Sequence, residues 1–246
     1  MYQTIKKQTV YYQKVGKGKD LILLHGWKQD VSTWWPLVDL LKDHFTLWLL
    51  DLPGFGKSEN PKKIWGMEEY TNFVFQFIKE NKIKEPAVLG HSFGGAVAIK
   101  LASIYPDLIS KIILDASSGI RPKPTLTNRL AKSVAKLIKI LPNVFNSKQL
   151  LRLWFYKTIQ SDYLEAGDLT ESFKKILTQD LTNDAKKISH ETLIIWGGDD
   201  KTVPLKRGLT LYQLIKNSRI EIMEETGHSP HLKNPVLFTN YVKDFI

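Results

Sequence analysis

Short apolar runs alternate with amphipathic segments along most of the chain. Several runs are continuously apolar, as in strands that are buried on both faces of a parallel sheet. Residues 10–15 instead alternate weakly between polar and apolar positions, which predicts an early antiparallel strand. The predicted strands are residues 10–15, 21–24, 45–50, 86–89, 111–115, 193–196 and 220–223.

Helical spacing appears between these strands. Ser32 is predicted to cap the first helix, in which apolar residues recur every three or four positions, at Trp34, Leu37, Val38 and Leu41. The other predicted helices are residues 65–79, 93–105, 205–215 and 235–246. Strands that alternate with helices predict an α/β fold, a doubly wound and mostly parallel sheet with right-handed crossovers.

The alternation stops in one long segment of the chain. Residues 119–184 show only helical patterns, interrupted by Pro122, Pro124 and Pro142. The strand–helix pattern resumes after this segment. We therefore expect a core formed by residues 1–118 and 185–246, with residues 119–184 inserted as a helical segment.

Composition narrows the class of protein. The 246 residues are 43% hydrophobic and 24% charged, which predicts one globular unit with a sizeable core. No apolar run approaches the roughly 18 residues of a membrane span, and the first residues lack a signal-peptide core. With no cysteine, disulfides and thiolate metal sites are excluded, which suits a cytoplasmic protein. The net charge is +10, yet no nucleic-acid motif is present, so no nucleic-acid partner is expected.

Much of the positive charge lies within the inserted segment. Between residues 119 and 158 there is no acidic residue, and the basic residues are Arg121, Lys123, Arg129, Lys132, Lys136, Lys139, Lys148, Arg152 and Lys157. One interpretation is a solvated face of a lysine-rich protein. The other is a landing surface for an acidic partner: an acyl carrier protein, an anionic acyl substrate or an anionic membrane.

A G-x-S-x-G pattern lies between a predicted strand and a predicted helix. Its residues are Gly90, His91, Ser92, Phe93 and Gly94. A serine on so sharp a turn has a strained backbone, and residues two positions away crowd it, so glycines are required there. The turn is expected to expose the Ser92 hydroxyl at the carboxyl end of the sheet, beside the positive end of a helix.

Two later loops contain the partners that a serine nucleophile needs, a general base and a group that orients it. Asp199 and Asp200 follow the strand at 193–196, and His228 follows the strand at 220–223. Carboxyl ends of parallel strands meet at one edge of a sheet, where such folds place their sites. Spacing alone does not separate Asp199 from Asp200, and Asp115 is a third candidate for the acid.

Other polar residues near these motifs have structural interpretations. His25 is expected to order its loop by hydrogen bonding, Asp51 to tie down the following loop, and His91 to fill space inside the turn. His231 lies three residues after His228, as in some metal pairs. No third ligand lies in a plausible frame, so no metal is expected.

The chain resembles the α/β-hydrolase superfamily over nearly its full length outside the insertion. The matching blocks are the His25-Gly26 turn, the loop at residues 51–58, the Gly90–Gly95 elbow, and the acid and histidine loops. The insertion has the position of that family's helical cap. The resemblance implies that Ser92 is the nucleophile, His228 the base and Asp200, four residues before Pro204, the acid. It also implies an oxyanion hole formed by the backbone N–H groups of Trp27 and Phe93.

The same resemblance implies a cofactor-free hydrolase that cleaves a small-molecule carboxylic ester through an acyl-enzyme. A serine nucleophile argues against the dehalogenases and epoxide hydrolases of this superfamily, which use aspartate. Ser229 replaces an aromatic residue that is common in C–C bond hydrolases, and Lys233 replaces a frequent glutamate. Trp34, Trp154 and Phe155 are expected to contact substrate.

Several alternatives remain open. The same triad serves thioesterases, lactonases, C–C bond hydrolases and perhydrolases, and some hormone receptors use this scaffold without catalysis. The run Leu23-Leu-His-Gly-Trp27 is similar to the methyl esterases that act on acyl-carrier-protein esters in biotin synthesis. Those enzymes have Trp-Ser-Leu in the elbow, where this chain has His-Ser-Phe.

Overall fold

The computed structural model describes residues 1–121 and 167–246. Within these ranges the strands form one eight-stranded sheet in the order β1-β2-β4-β3-β5-β6-β7-β8. The strands are Tyr2–Ile5 (β1), Gln8–Gly16 (β2), Lys19–Leu24 (β3), Phe45–Leu50 (β4), Ala87–His91 (β5), Ile112–Asp115 (β6), Thr192–Gly197 (β7) and Ser218–Met223 (β8). β2 runs antiparallel to β1 and β4, and all other neighbours are parallel. The predicted fold class is thus confirmed.

Helices connect the strands as the sequence pattern predicts. The α-helices of the described ranges are Trp35–Leu41 (α1), Met67–Glu80 (α2), Phe93–Ile104 (α3), Thr170–Leu177 (α4), Thr182–Ala185 (α5), Leu205–Leu214 (α6), Pro230–Lys233 (α7) and Pro235–Phe245 (α8). The helices predicted at 65–79, 93–105, 205–215 and 235–246 are confirmed, with ends displaced by at most two residues. Among the described residues, no helix has the length and apolar composition that a membrane crossing requires.

Both faces of the sheet are covered, which explains the continuous apolar runs. Successive side chains of a strand point to opposite faces. In β3, Ile22 and Leu24 pack into a core with α2 and α3, whereas Leu21 and Leu23 pack into a second core with α1 and α8. The central strands therefore need an apolar residue at every position. The carboxyl ends of the parallel strands lie along one edge of the sheet.

The first strand is an element that the sequence analysis missed. β1 pairs with β2 through a tight turn at Lys6 and Lys7, both with positive φ (47° and 71°). Two-residue hairpin turns of this conformation are usually recognised by Asn-Gly or Asp-Gly. Lysine at both positions gives no such signal, and β1 is a short edge strand.

The start of the first helical segment also differs from the prediction. Ser32 is not the cap: the Asp30 carboxylate accepts a hydrogen bond of 2.8 Å from the Ser32 backbone N–H. Asp30 has extended backbone and precedes a 3₁₀ turn, Val31–Trp34, that continues into α1. The stronger acceptor two residues earlier therefore caps the segment.

The two ends of the predicted insertion meet beside the sheet. Leu181 N–H donates to the Gly119 carbonyl at 2.9 Å, and Arg207 donates to the Ile120 carbonyl. α4 and α5 belong to the returning end. Residues 122–166, with most of the basic residues noted above, lie outside the described residues, so the division into a core and a helical cap stays a prediction.

Candidate active site

Ser92 lies on the turn between β5 and α3. Its backbone has φ 48° and ψ −108°, a strained conformation for a residue with a side chain. Two hydrogen bonds hold the turn: Ser92 N–H donates to the Asp115 carbonyl at 2.9 Å, and Ser118 N–H donates to the Ser92 carbonyl at 3.0 Å. The end of β6 and the residues just after it therefore help to hold Ser92 in its strained conformation.

The glycines of the turn are required by close backbone contacts. A Cβ atom on Gly94 would lie 2.0 Å from the Leu24 carbonyl oxygen, and one on Gly90 would lie 2.4 Å from the Gly94 carbonyl oxygen. Neither backbone atom can move aside as a flexible side chain can. The crowding predicted for the two glycines that flank Ser92 is thus present.

Three side chains from separate loops meet at this turn. The His228 Nε2 atom lies 3.0 Å from Ser92 Oγ, and its Nδ1 atom lies 2.8 Å from Asp200 Oδ2. A carboxylate only accepts hydrogen bonds, so Nδ1 carries the proton and Nε2 is free to accept the serine hydroxyl proton. The structure therefore brings together the three residues that the sequence analysis singled out.

The carboxylate beside His228 is held firmly. Asp200 Oδ1 accepts hydrogen bonds of 2.8 Å from the backbone N–H groups of Thr202 and Val203, which leaves Oδ2 for the imidazole. Asp200 is buried, whereas the neighbouring Asp199 is exposed. Of the two adjacent aspartates, Asp200 has the geometry of the orienting acid.

The loop after β3 is locked by a histidine that does not face the reacting groups. His25 Nδ1 donates to the Gly26 carbonyl at 2.7 Å, and Nε2 accepts from Leu52 N–H at 2.9 Å. Burial lowers the pKa of His25 from 6.5 to about 4, so the ring is neutral at physiological pH. Both ring nitrogens are occupied by the backbone, as expected for a residue that orders its loop.

The same loop is joined to the serine turn. Gly94 N–H donates to the His25 carbonyl at 3.1 Å, and the Gln29 side chain accepts from Gly26 N–H at 2.9 Å. The rings of Trp27 and Phe93 lie 5.3 Å apart, so the two residues predicted to supply the oxyanion hole are neighbours.

Asp51 organises the loop that follows β4. Its two carboxylate oxygens accept from Val31 N–H at 2.6 Å and Lys57 N–H at 2.8 Å, and its carbonyl accepts from the Ser58 hydroxyl at 2.7 Å. These contacts fasten the loop at residues 51–58 to the start of the 3₁₀ turn. The expectation that Asp51 ties down its loop is met.

Aromatic rings form a wall next to the serine turn. Trp27 contacts Phe55 and Phe173 at ring-centroid distances of 4.8 Å each, in addition to Phe93. Phe173 comes from α4, so the returning end of the insertion closes this wall. Trp154 and Phe155, which the sequence analysis expected to contact substrate, lie outside the described residues.

Trp34 has a different environment from the one expected. Its ring is fully buried, packs 4.7 Å from the His231 ring, and belongs to the core between the sheet and helices α1 and α8. No surface of Trp34 is left for a substrate, which corrects the expectation that it lines the binding site.

A second cluster of polar side chains lies buried next to the first. Asp115 Oδ2 lies 3.1 Å from His91 Nδ1 and 2.6 Å from His231 Nδ1. His231 Nε2 lies 3.0 Å from the Thr33 hydroxyl. Asp115 therefore pairs with these histidines and not with His228, which corrects its place among the candidate acids. The sequence analysis missed the cluster, although His91 and Asp115 are register partners at the ends of adjacent strands.

The buried cluster has residue types that also bind metals. Donor atoms of His91, Asp115 and His231 lie within 4.8 Å of one another, and all three side chains are buried. The 2.6 Å separation of His231 Nδ1 from Asp115 Oδ2 is shorter than the distance that two ligands of one zinc ion usually adopt. The three side chains therefore lie closer together than the ligands of a metal centre.

The fold and the arrangement around Ser92 agree with a known family of hydrolases. The family model described as alpha/beta hydrolase fold matches residues 20–155, more than half of the chain. This chain therefore belongs to the α/β-hydrolase family.

Relatives within this family differ in activity. A pimeloyl-[acyl-carrier protein] methyl ester esterase of Yersinia enterocolitica is 28% identical over 254 residues, which cover 96% of each chain. The hydrolase YugF of Bacillus subtilis is 27% identical, with 96% of this chain and 92% of the relative covered. A 2-hydroxy-6-oxononadienedioate/2-hydroxy-6-oxononatrienedioate hydrolase of Pseudomonas putida is 26% identical, covering 96% and 91%.

Solved structures share the whole fold. An enol-lactonase from Burkholderia xenovorans superposes with a TM-score of 0.77 at 24% identity, covering 100% of this chain and 99% of that one. A meta-cleavage product hydrolase from Pseudomonas fluorescens gives a TM-score of 0.76 at 22% identity, covering 100% and 96%. At this level of identity the likeness establishes the fold alone.

The neutral, buried state of His25 predicts a loss of stability in acid. The unfolded chain binds a proton at His25 below pH 6.5, whereas the folded protein resists it until about pH 4. Stability should therefore fall as the pH decreases through this window, by about 3 kcal/mol at about 1.4 kcal/mol per pKa unit. Urea unfolding between pH 7 and pH 4 measures it.

The matched control is His25→Gln, which keeps one donor and one acceptor but does not titrate. The free energy of unfolding of this variant should depend much less on pH in the same window. Equal pH dependence in both proteins would show that other groups cause the loss.

Proposed function

We propose that this protein is a serine hydrolase that cleaves carboxylic esters through an acyl-enzyme intermediate. The observation that carries the proposal is the position of His228, whose ring bridges Ser92 Oγ and the Asp200 carboxylate. A nucleophile, an acid and a base that follow one another along the chain as Ser92, Asp200 and His228 do match the catalytic triad of the family.

In the proposed mechanism, His228 Nε2 takes the hydroxyl proton of Ser92 while Ser92 Oγ attacks the ester carbonyl carbon. Asp200 keeps the Nδ1 proton in place and stabilises the imidazolium. The tetrahedral intermediate then collapses as His228 returns the proton to the departing alcohol. His228 then deprotonates a water molecule, whose oxygen attacks the carbonyl carbon of the acyl-enzyme. As the second tetrahedral intermediate collapses, the bond to Ser92 Oγ breaks, His228 returns the proton to Ser92 Oγ, and the carboxylic acid is released.

The carbonyl oxygen becomes negative during both attacks. We assign its stabilisation to the backbone N–H groups of Trp27 and Phe93. Phe93 is the first residue of α3, where an N–H group has no acceptor within the helix and the helix dipole is positive. The locking of the Trp27 loop by His25 and its bond to the serine turn support a preformed site, which such stabilisation needs.

Ester cleavage is favoured over C–C cleavage by the residue that follows His228. Ser229 stands where C–C bond hydrolases commonly carry an aromatic residue. The aromatic wall of Trp27, Phe55, Phe93 and Phe173 favours a substrate whose acyl group is apolar. The alternatives are a thioesterase, lactonase, C–C bond hydrolase or perhydrolase with the same triad, or a receptor that binds a ligand without turnover.

The first experiment measures turnover of short-chain nitrophenyl esters by the intact protein and by Ser92→Ala. We expect multiple turnovers in the parent and none above background in the variant, because the glycines and not the hydroxyl set the turn. Circular dichroism and the melting temperature check that the variant stays folded. A parent protein that binds esters without turnover would favour the receptor, and turnover by the variant within tenfold of the parent would exclude Ser92 as nucleophile.

The two adjacent aspartates give a matched pair of variants. Asp200→Asn should lower kcat by ~10⁴-fold, because the amide no longer selects the His228 tautomer that accepts the serine proton. Asp199→Asn changes the same chemical group one residue away on an exposed side chain, and kcat should stay within a fewfold of the parent. The reverse order of effects would transfer the role of the acid to Asp199.

A further part of the proposal concerns the substrate. A relative at 28% identity is named for an acyl-carrier-protein ester, and the segment at residues 119–158 is basic without an acidic residue. We propose that an acidic carrier protein can present the acyl ester at this segment. Attraction between such surfaces raises the association rate and is screened by salt.

Salt dependence tests this part. Between 0.01 M and 0.15 M salt the Debye length falls from about 30 Å to about 8 Å. The value of kcat/KM for a carrier-linked ester should fall over this range, whereas that for a small neutral ester should barely change. Replacing Lys132, Lys136 and Lys139 by glutamate should abolish the difference. Equal salt dependence of the two substrates would assign these lysines to a solvated face.

A further inference from the structure

The buried network of His91, Asp115 and His231 adjoins the triad through one ring. His91 directly precedes Ser92, and its ring lies 5.0 Å from the His228 ring and 4.6 Å from the His231 ring. His91 therefore lies between the base of the proposed mechanism and the rest of the network. All three members are fully buried or nearly so, at 0–1% exposure.

We propose that Asp115 is a positioning residue whose buried negative charge, held by His91 and His231, stabilises the His228 imidazolium. This inference rests on the proposed function, in which His228 becomes positive when it takes the proton of Ser92. Asp115 touches neither substrate nor Ser92 Oγ in this role, and it acts on His228 across the ring of His91.

The positions of the ring nitrogens bear on the charge. Both histidines place Nδ1 near the same carboxylate oxygen of Asp115, at 3.1 Å and 2.6 Å, and His91 Nδ1 also donates to the Asp115 backbone carbonyl at 3.2 Å. The Thr33 hydroxyl lies 3.0 Å from His231 Nε2, so the His231 ring is held between Thr33 and Asp115. Asp115 is the only one of the three side chains that supplies a negative charge.

The state of the carboxyl group agrees with this account. Burial alone would raise the pKa of Asp115, but the contacts with His231 and His91 outweigh it and hold the pKa below its usual value. Both carboxylate oxygens are buried, and neither has a hydrogen-bond partner among the described residues. The negative charge of Asp115 thus lies in a medium of low dielectric constant. Its attraction for a positive charge on His228, on the other side of the His91 ring, is stronger there than it would be in water.

The charged and titratable groups around His228 and Asp115 are few in the described part of the chain. His228 faces Asp200 through Nδ1, Ser92 through Nε2 and His91 through its ring face. Asp115 faces His91 and His231. His25 also interacts electrostatically with His91, but it is neutral because burial lowers its pKa to about 4. A change in the His228 pKa on replacing Asp115 therefore reports the loss of that charge.

The experiment follows the His228 imidazole by NMR titration in the free protein, without substrate. Asp115→Asn keeps the shape of the side chain and removes its charge, so the His228 pKa should fall by about 1 unit. The kcat for a nitrophenyl ester should fall about tenfold, with KM little changed, because the charge acts only once the imidazolium forms. If the asparagine variant does not fold, Asp115→Ser is measured in its place.

Asp184→Asn is the matched control. Asp184 is another buried carboxylate, bonded to Lys100 and Ser103 at 3.0 Å and outside the network. Its replacement should leave the His228 titration and kcat unchanged. An unchanged His228 pKa in a folded Asp115 variant would overturn the inference. Absence of ester turnover by the parent protein would contradict the proposed function instead, and the titration would still test the inference.

Discussion

The contact between Gly94 and the Leu24 carbonyl decides how closely three elements meet. A Cβ atom at Gly94 would lie 2.0 Å from that oxygen, so α3 starts against the end of β3 with no side chain between them. The bond from Gly94 N–H to the His25 carbonyl fixes the same junction. Ser92, strained at φ 48°, is held by this packing and by hydrogen bonds to the end of β6 and to the residues just after it. The position of its hydroxyl is thus a consequence of backbone packing, and the shape of the turn does not depend on the hydroxyl group.

Three aspartates end or follow parallel strands of the same edge, yet their partners give them different roles. Asp51 accepts from backbone N–H groups and holds a loop. Asp200 divides its oxygens between the backbone and His228. Asp115 pairs with two buried histidines. A carboxylate at the end of a strand is therefore not enough to identify the acid that faces His228. The groups that each carboxylate oxygen contacts distinguish the three aspartates.

Much of the fold was predictable because its signals are local. Continuous apolar strands, helical spacing and the glycines around Ser92 depend on neighbours within a few residues. The predictions that failed have two causes: weak or competing local signals, and contacts between distant parts of the chain. The Lys6-Lys7 turn lacks the usual residues, and Asp30 competes with Ser32 for the same backbone groups. The burial of Trp34 depends on the packing of α7 on α1, which brings His231, 197 residues later, against its ring. No local pattern shows this contact, so the sequence wrongly predicts that Trp34 contacts substrate. The register of β5 against β6 likewise determines that Asp115 meets His91.

The aromatic wall joins the loops around Ser92 to the returning end of the insertion. Trp27, Phe55 and Phe93 come from the loops that form the core of the site, whereas Phe173 comes from α4 at the returning end of the insertion. The Ser172 hydroxyl accepts from Trp65 N–H at 2.9 Å and fixes α4 against the segment before α2. In the proposed function, the core therefore sets the chemistry through backbone geometry. A change in the inserted segment can reshape the wall through Phe173 without moving Ser92, His228 or Asp200.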